Sequence, residues 1–249
     1  MSALELRMLN KSFGGLNVIK DLNLIVLPGE RRAVIGPNGA GKTTLFNMIS
    51  GWEKPSSGQI FVDGEAALIG HPDSLARAGL ARSFQQNMLL NGLTVMENLR
   101  IASQALDGSR RSILRSRASF PSVLERARAA GRQMNLESVL NEKAQDLSYG
   151  HKRQLEVAIA LCGAPRILLL DEPAAGASPP ERERLIGLLR ELPRSLTMIL
   201  VEHDMDIVFS VCDQITVMSY GEVLATGTPA EVRANERVKA AYLGGAAHA

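Results

Sequence analysis

The run Gly36-Pro37-Asn38-Gly39-Ala40-Gly41-Lys42-Thr43 fills every fixed position of the spacing G-x-x-x-x-G-K-[ST], which suits the binding of a nucleoside triphosphate. Glycines let the backbone curl until successive N–H groups point inward at an anion. Lys42 adds a point charge for the β- and γ-phosphates, and the Thr43 hydroxyl stands ready for Mg²⁺. The plainer alternative is a glycine-rich turn capping an ordinary helix, and the complete motif argues against it. A second pattern is Ile167-Leu168-Leu169-Leu170-Asp171-Glu172-Pro173, two adjacent carboxylates closing an apolar run. Asp171 can hold a Mg²⁺ shell while Glu172 polarises an attacking water, the division of labour that phosphoryl transfer requires. A solvated turn capping the next helix is the bland alternative.

Two further stretches bear on the same chemistry. Val201-Glu202-His203-Asp204 follows another apolar run, so His203 can orient the water or touch the γ-phosphate, or else be a satisfied structural histidine. Leu147-Ser148-Tyr149-Gly150-His151 opens a helix, where Ser148 can cap it or offer hydroxyl and N–H groups to a phosphate. Capping is the default.

These groups need elements to hold them. Short apolar runs at 22–27, 32–35, 59–62, 167–170, 197–201 and 214–218 predict strands. The runs at 167–170 and 198–201 do not alternate, which fits strands covered on both faces of a parallel sheet. Helical patterns at 42–50, 180–192 and 205–211 lie among them, so the class is α/β, with the phosphate loop where strand gives way to helix. Between Phe84 and Pro165 the texture is helical, at 95–105, 123–134 and 149–162, and predicts a helical subdomain inserted into the core. Within it, residues 109–117 are locally basic; a solvated face is favoured there over contact with lipid headgroups or a partner. The end, from Gly244 to Ala249, reads as frayed.

At 249 residues the chain is long enough to bury a sizeable core without staples. A formal charge of +2 with 22% charged residues gives no argument for nucleic-acid binding or disorder. Cys162 and Cys212 have no pairing or ligand spacing and suit buried apolar roles in a reduced compartment. The start lacks a basic region followed by an apolar one, and no apolar run approaches the roughly 18 residues that span a bilayer, so a soluble cytosolic chain is expected.

Taken together, these residues resemble the nucleotide-binding subunit of ABC transporters over nearly the whole chain. The phosphate loop, the Asp171-Glu172 strand end and Leu147-Ser148-Tyr149-Gly150-His151 match family motifs, the last usually written L-S-G-G-Q. The resemblance implies a P-loop NTPase core with a mostly parallel sheet, an N-terminal antiparallel β part and the inserted helical subdomain. It divides one domain, 1–249, into a catalytic core (1–85 and 165–235), a helical subdomain (86–164) and a tail (236–249). It places Gln85 on the Mg²⁺- and water-contacting glutamine, His203 on the switch histidine and Phe13 on the aromatic that stacks on adenine, and it adds Thr44 to the ATP-binding residues. It implies that two chains face head to tail around two ATP molecules, so that Ser148, Gly150 and His151 act across the dimer. Tyr149 and His151 depart from the usual glycine and glutamine, and Ser178 stands where many relatives place an aspartate.

Details narrow the branch. Leu93-Thr94-Val95-Met96-Glu97-Asn98-Leu99, Lys152-Arg153-Gln154-Leu155-Glu156, Ala174-Ala175-Gly176, Glu202-His203-Asp204-Met205-Asp206 and the terminal Tyr242-Leu243-Gly244 are similar to the ATPases of branched-chain amino-acid importers. Urea and short-chain amide importers share much of this pattern. Relatives usually read Leu-Asn-Pro where this chain has Ala177-Ser178-Pro179. The resemblance implies membrane permease subunits docking near residues 85–99, a second ATPase chain, identical or not, and, indirectly, an extracytoplasmic solute-binding protein. It places the chain at the cytoplasmic face of the membrane. The competing class is a soluble ABC ATPase acting on DNA or ribosomes, which the lack of a heptad run or tandem repeat disfavours. An exporter ATPase is disfavoured by the branch resemblance alone.

Overall fold

The computed structural model describes residues 1–67, 70–83, 89–105 and 121–244. The chain opens with β1 (Leu4–Phe13) and β2 (Leu16–Val26), and β3 (Arg31–Ile35) then leads through the phosphate loop into α1 (Lys42–Ile49). After β4 (Ser57–Val62) and the short β5 (Glu65–Ala66), α2 (Pro72–Arg77) leads to β6 (Leu80–Arg82). Then come α3 (Val95–Ala105), α4 (Pro121–Gln133), α5 (Tyr149–Leu161), β7 (Ile167–Asp171), α6 (Pro179–Glu191), β8 (Thr197–Val201) and α7 (Met205–Val211). β9 (Gln214–Ser219), β10 (Glu222–Gly227), α8 (Pro229–Ala234) and α9 (Glu236–Gly244) close the chain.

One sheet is antiparallel and four-stranded, in the order β2-β1-β4-β5. The other has six strands in the order β10-β9-β3-β8-β7-β6, parallel throughout except for β10 at its edge. This is the α/β class expected, with its mostly parallel sheet and N-terminal antiparallel part.

The non-alternating strands are covered on both faces. Ala33 and Ile35 of β3, Leu168 and Leu170 of β7, and Met198 and Leu200 of β8 join one apolar cluster. Their neighbours Val34, Ile167, Leu169, Ile199 and Val201 join a second cluster with α1 and the antiparallel sheet. Leu99 of α3, Ala127 of α4 and Leu155 of α5 extend the first cluster. Each fully buried Leu, Ile or Val adds about 1.5–3 kcal/mol of transfer free energy. Cys162 and Cys212 are free and buried, and burial pushes their thiols up to about 11 and about 12.

Several elements escape the apolar-run reading. β1 begins with an alternating Leu-Glu-Leu-Arg, but its pairing with β2 shifts register between Leu6 and Leu9, where Met8 takes a positive φ, and the alternation is lost. β2 starts at Leu16, earlier than residue 22, because pairing with β1 continues up to the hairpin at Phe13 and Leu16. β10, α2 and α8 carry at most three consecutive apolar residues and do not show as runs, and residues 236–244 of the anticipated tail form α9.

Candidate functional site

Four neighbouring parallel strands deliver the chemistry to one edge. In the order β3, β8, β7, β6, their C-terminal ends carry the phosphate loop, His203, the Asp171-Glu172 pair and Arg82. Open parallel sheets collect ligands at this edge.

The phosphate loop is shaped by what lies behind it. Gly41 caps α1 with a φ of 97°, and a Cβ there would sit 2.7 Å from Ile19 Cδ1 and 2.9 Å from the Val18 carbonyl of β2. Only glycine fits both the conformation and the space. Lys42 is buried and curls over its own loop, donating to the carbonyls of Gly36 at 2.7 Å and Pro37 at 3.0 Å. Burial pulls its ammonium pKa down, and the charges of Glu172 and Asp171 oppose that pull.

Asp171 is 3% exposed, and its Oδ2 accepts from Arg82 Nη2 at 2.7 Å. The other terminal nitrogen of Arg82 donates to Asn47 Oδ1 at 2.7 Å and Ser50 Oγ at 2.9 Å, tying the acidic strand end to α1. Glu172 has a left-handed backbone with a φ of 47°, held by an N–H bond to the Val201 carbonyl at 2.9 Å. Its Oε1 lies 2.6 Å from His203 Nε2. A carboxylate only accepts, which assigns the proton to Nε2. Buried Glu202 braces the pair, accepting from the N–H groups of Ala174 at 3.1 Å and His203 at 3.2 Å. Burial pushes its carboxyl pKa up against the effect of these backbone donors.

Asn38, Gly39, Ala40, Gly41, Lys42, Thr43, Thr44, Glu172 and His203 share a cleft of about 250 Å³, with Val18 on its wall. Gly36 and Pro37 lie beneath it as acceptors for Lys42. Phe13 does not line the cleft; it is exposed at the end of β1, with Lys11 Nζ 4.6 Å from its ring centroid. Gln85 and the basic residues 109–117 lie outside the described residues. Ser148, Gly150 and His151 are absent from the cleft. Ser148 caps α5, accepting from the His151 N–H at 3.2 Å. Gly150 N–H donates to Glu181 Oε1 at 2.8 Å.

The cleft suits a triphosphate with a hard cation. It offers an amide-rich loop, a lysine, the Thr43 hydroxyl and the Glu172 carboxylate, chemistry that phosphate and Mg²⁺ prefer, while Asp171 does not line it and is held by Arg82. Arg82 and Glu202 were missed as site residues from the sequence. The only sequence signal for either was position, since Arg82 precedes Gln85 in Arg82-Ser83-Phe84-Gln85 and Glu202 precedes His203.

Residues 19–175 match the family model described as ABC transporter, and residues 222–248 match that of the branched-chain amino acid ATP-binding cassette transporter. The chain is 40% identical over 240 residues to the high-affinity branched-chain amino acid transport ATP-binding protein LivG of Escherichia coli (strain K12), covering 93% of this chain and 94% of that one. Among solved structures, an ATP-binding cassette of an ABC transporter in its ADP conformation superposes with a TM-score of 0.84 at 27% identity, over 98% of this chain and 99% of that one. A dimeric cassette in a post-hydrolysis state, bound to ADP and Pi, gives 0.76 at 25% identity, over 91% and 98%. With a phosphate loop, an acidic strand end and a following histidine meeting in one cleft, and relatives of this kind along almost its whole length, this chain belongs to the ABC transporter ATP-binding family.

Proposed function

We propose that this chain is the ATP-hydrolysing subunit of an importer for branched-chain or other amino acids, paired with a second such chain beneath membrane permease subunits. The observation that carries the hydrolytic part is the 2.6 Å contact between Glu172 and His203 in the cleft that Lys42 and Thr43 also line. The solute class follows from the 40% identity to LivG and from the match of residues 222–248. The dimer follows from the related dimeric cassette that holds ADP and Pi.

Lys42 leaves the carbonyls of Gly36 and Pro37 for the β- and γ-phosphates, and the loop amides hold the same oxygens. Glu172 accepts a hydrogen bond from the attacking water, and His203 holds the carboxylate in line through Nε2. A bound Mg²⁺ would neutralise charge on the β- and γ-oxygens, held by Thr43, Asp171 and Gln85. Phe13 stacks on the adenine ring and Thr44 adds to the phosphate contacts. Ser148, Gly150 and His151 serve the partner's γ-phosphate, which fits their absence from this chain's cleft. The catalytic core spans 1–85 and 165–235, and the helical subdomain 86–164 meets the permease at the cytoplasmic face. No helix among the described residues is long and apolar enough to cross a membrane; the permease subunits form the pore in this reading. A solute-binding protein on the far side delivers the amino acid.

Replacing the base tests the assignment. Glu172→Gln lowers turnover about a hundredfold or more while leaving ATP binding intact, measured by phosphate release and equilibrium nucleotide titration. Retained wild-type turnover sinks it.

A further inference from the structure

Tyr149, one of the departures from the usual glycine, ties the start of α5 to the turn after β7. Its hydroxyl donates to the Ala175 carbonyl and accepts from Arg153, 2.9 Å from Nε and 2.6 Å from Nη2. Arg153 is itself fixed. Its guanidinium lies 5.0 Å from the Tyr149 ring centroid, bonds Glu156 at 2.7 Å and reaches the Ala175 carbonyl at 3.3 Å. Next along the turn, Gly176 has a φ of 77°, and a Cβ there would lie 2.8 Å from the Tyr149 oxygen. The turn is therefore open where the hydroxyl enters.

Ala175 is one hydrogen bond from the site, since its N–H donates to the Glu172 carbonyl at 3.0 Å. The left-handed backbone of Glu172 is costly for an L-residue and persists only where its surroundings over-determine it. The bonds from Tyr149 to Ala175, from Ala175 to Glu172 and from Glu172 to Val201 form one continuous tie. We infer that Tyr149, fixed by Arg153, is a positioning residue that holds the 172–176 turn and thereby aims the Glu172 carboxylate at His203. This rests on the reading of Glu172 as the group that polarises water. A glycine at 149 has no side chain with which to make the tie.

The test uses the full chain with Tyr149→Phe, which keeps the ring and removes the hydroxyl, and with Gly176→Ala, which crowds the hydroxyl and also strains the left-handed backbone of the turn. Steady-state kcat and KM for ATP are measured beside the melting temperature. Tyr149→Phe removes the hydroxyl's bond to Ala175 and both bonds from Arg153; kcat falls about fivefold with KM within about twofold, while the melting temperature drops by only about a few degrees and the chain stays folded in the assay. Gly176→Ala lowers kcat in the same direction. An unchanged kcat in Tyr149→Phe overturns the inference, and so does a fall in kcat matched by loss of ATP binding or by unfolding at the assay temperature. Retained wild-type turnover in Glu172→Gln overturns the reading of Glu172 itself, and this inference with it.

Discussion

A carboxylate as buried as Asp171 is tolerable only because Arg82 answers it, and Arg82 in turn is anchored by Asn47 and Ser50 of α1. Removing one partner of a buried pair leaves an uncompensated charge. Arg82→Gln is therefore expected to cost about 3–5 kcal/mol, read as an earlier midpoint in urea unfolding. An unchanged midpoint would show that water already compensates Asp171. Single residues were legible in the sequence where their chemistry is local. The phosphate loop and the Asp171-Glu172 pair are contiguous, so spacing alone announces them. Arg82 and Glu202 were not legible, because the partner of one sits on the neighbouring strand and the other works by accepting from backbone N–H groups.

At the scale of elements, legibility followed burial. β3, β7 and β8 are buried along their whole length; β7 and β8 show as almost unbroken apolar runs and β3 as a short one after two arginines, and α3 and α7 span the residues that their periodicity predicts. β1 was obscured by its register shifts, whose bulges break the two-residue alternation. α8 is too short for periodicity, yet its start is written plainly as Thr228-Pro229-Ala230-Glu231, a capping box with proline at the first turn. That cap carries its own prediction. Thr228→Ala costs about 1 kcal/mol of stability in thermal unfolding, and ATP turnover per folded chain stays at the wild-type level because α8 lines no part of the cleft. A loss of turnover would mean that α8 supports the phosphate loop.

For the whole molecule, strand order does what the linear chain cannot, drawing residues 36–43, 82, 171–172 and 203 onto one edge. The same order leaves Ser148 and Gly150 away from the cleft, at the start of α5. If they complete the partner's site, mixing Lys42→Ala chains with Ser148→Arg chains creates one intact composite site per heterodimer. Size-exclusion chromatography in ATP and Mg²⁺, with Glu172→Gln added to slow release, should then show a trapped mixed dimer. Its failure to form would count against action across the dimer. The strand that leads to the acidic pair is held in a particular way. β7 sends Leu168 and Leu170 into one apolar cluster and Ile167 and Leu169 into the other. It is thus pinned from both sides like an axle between two bearings, a tightly packed mount for the carboxylate at its tip. If two chains close on each other as proposed, the end of such a mount is the part of the site that such a closure moves least.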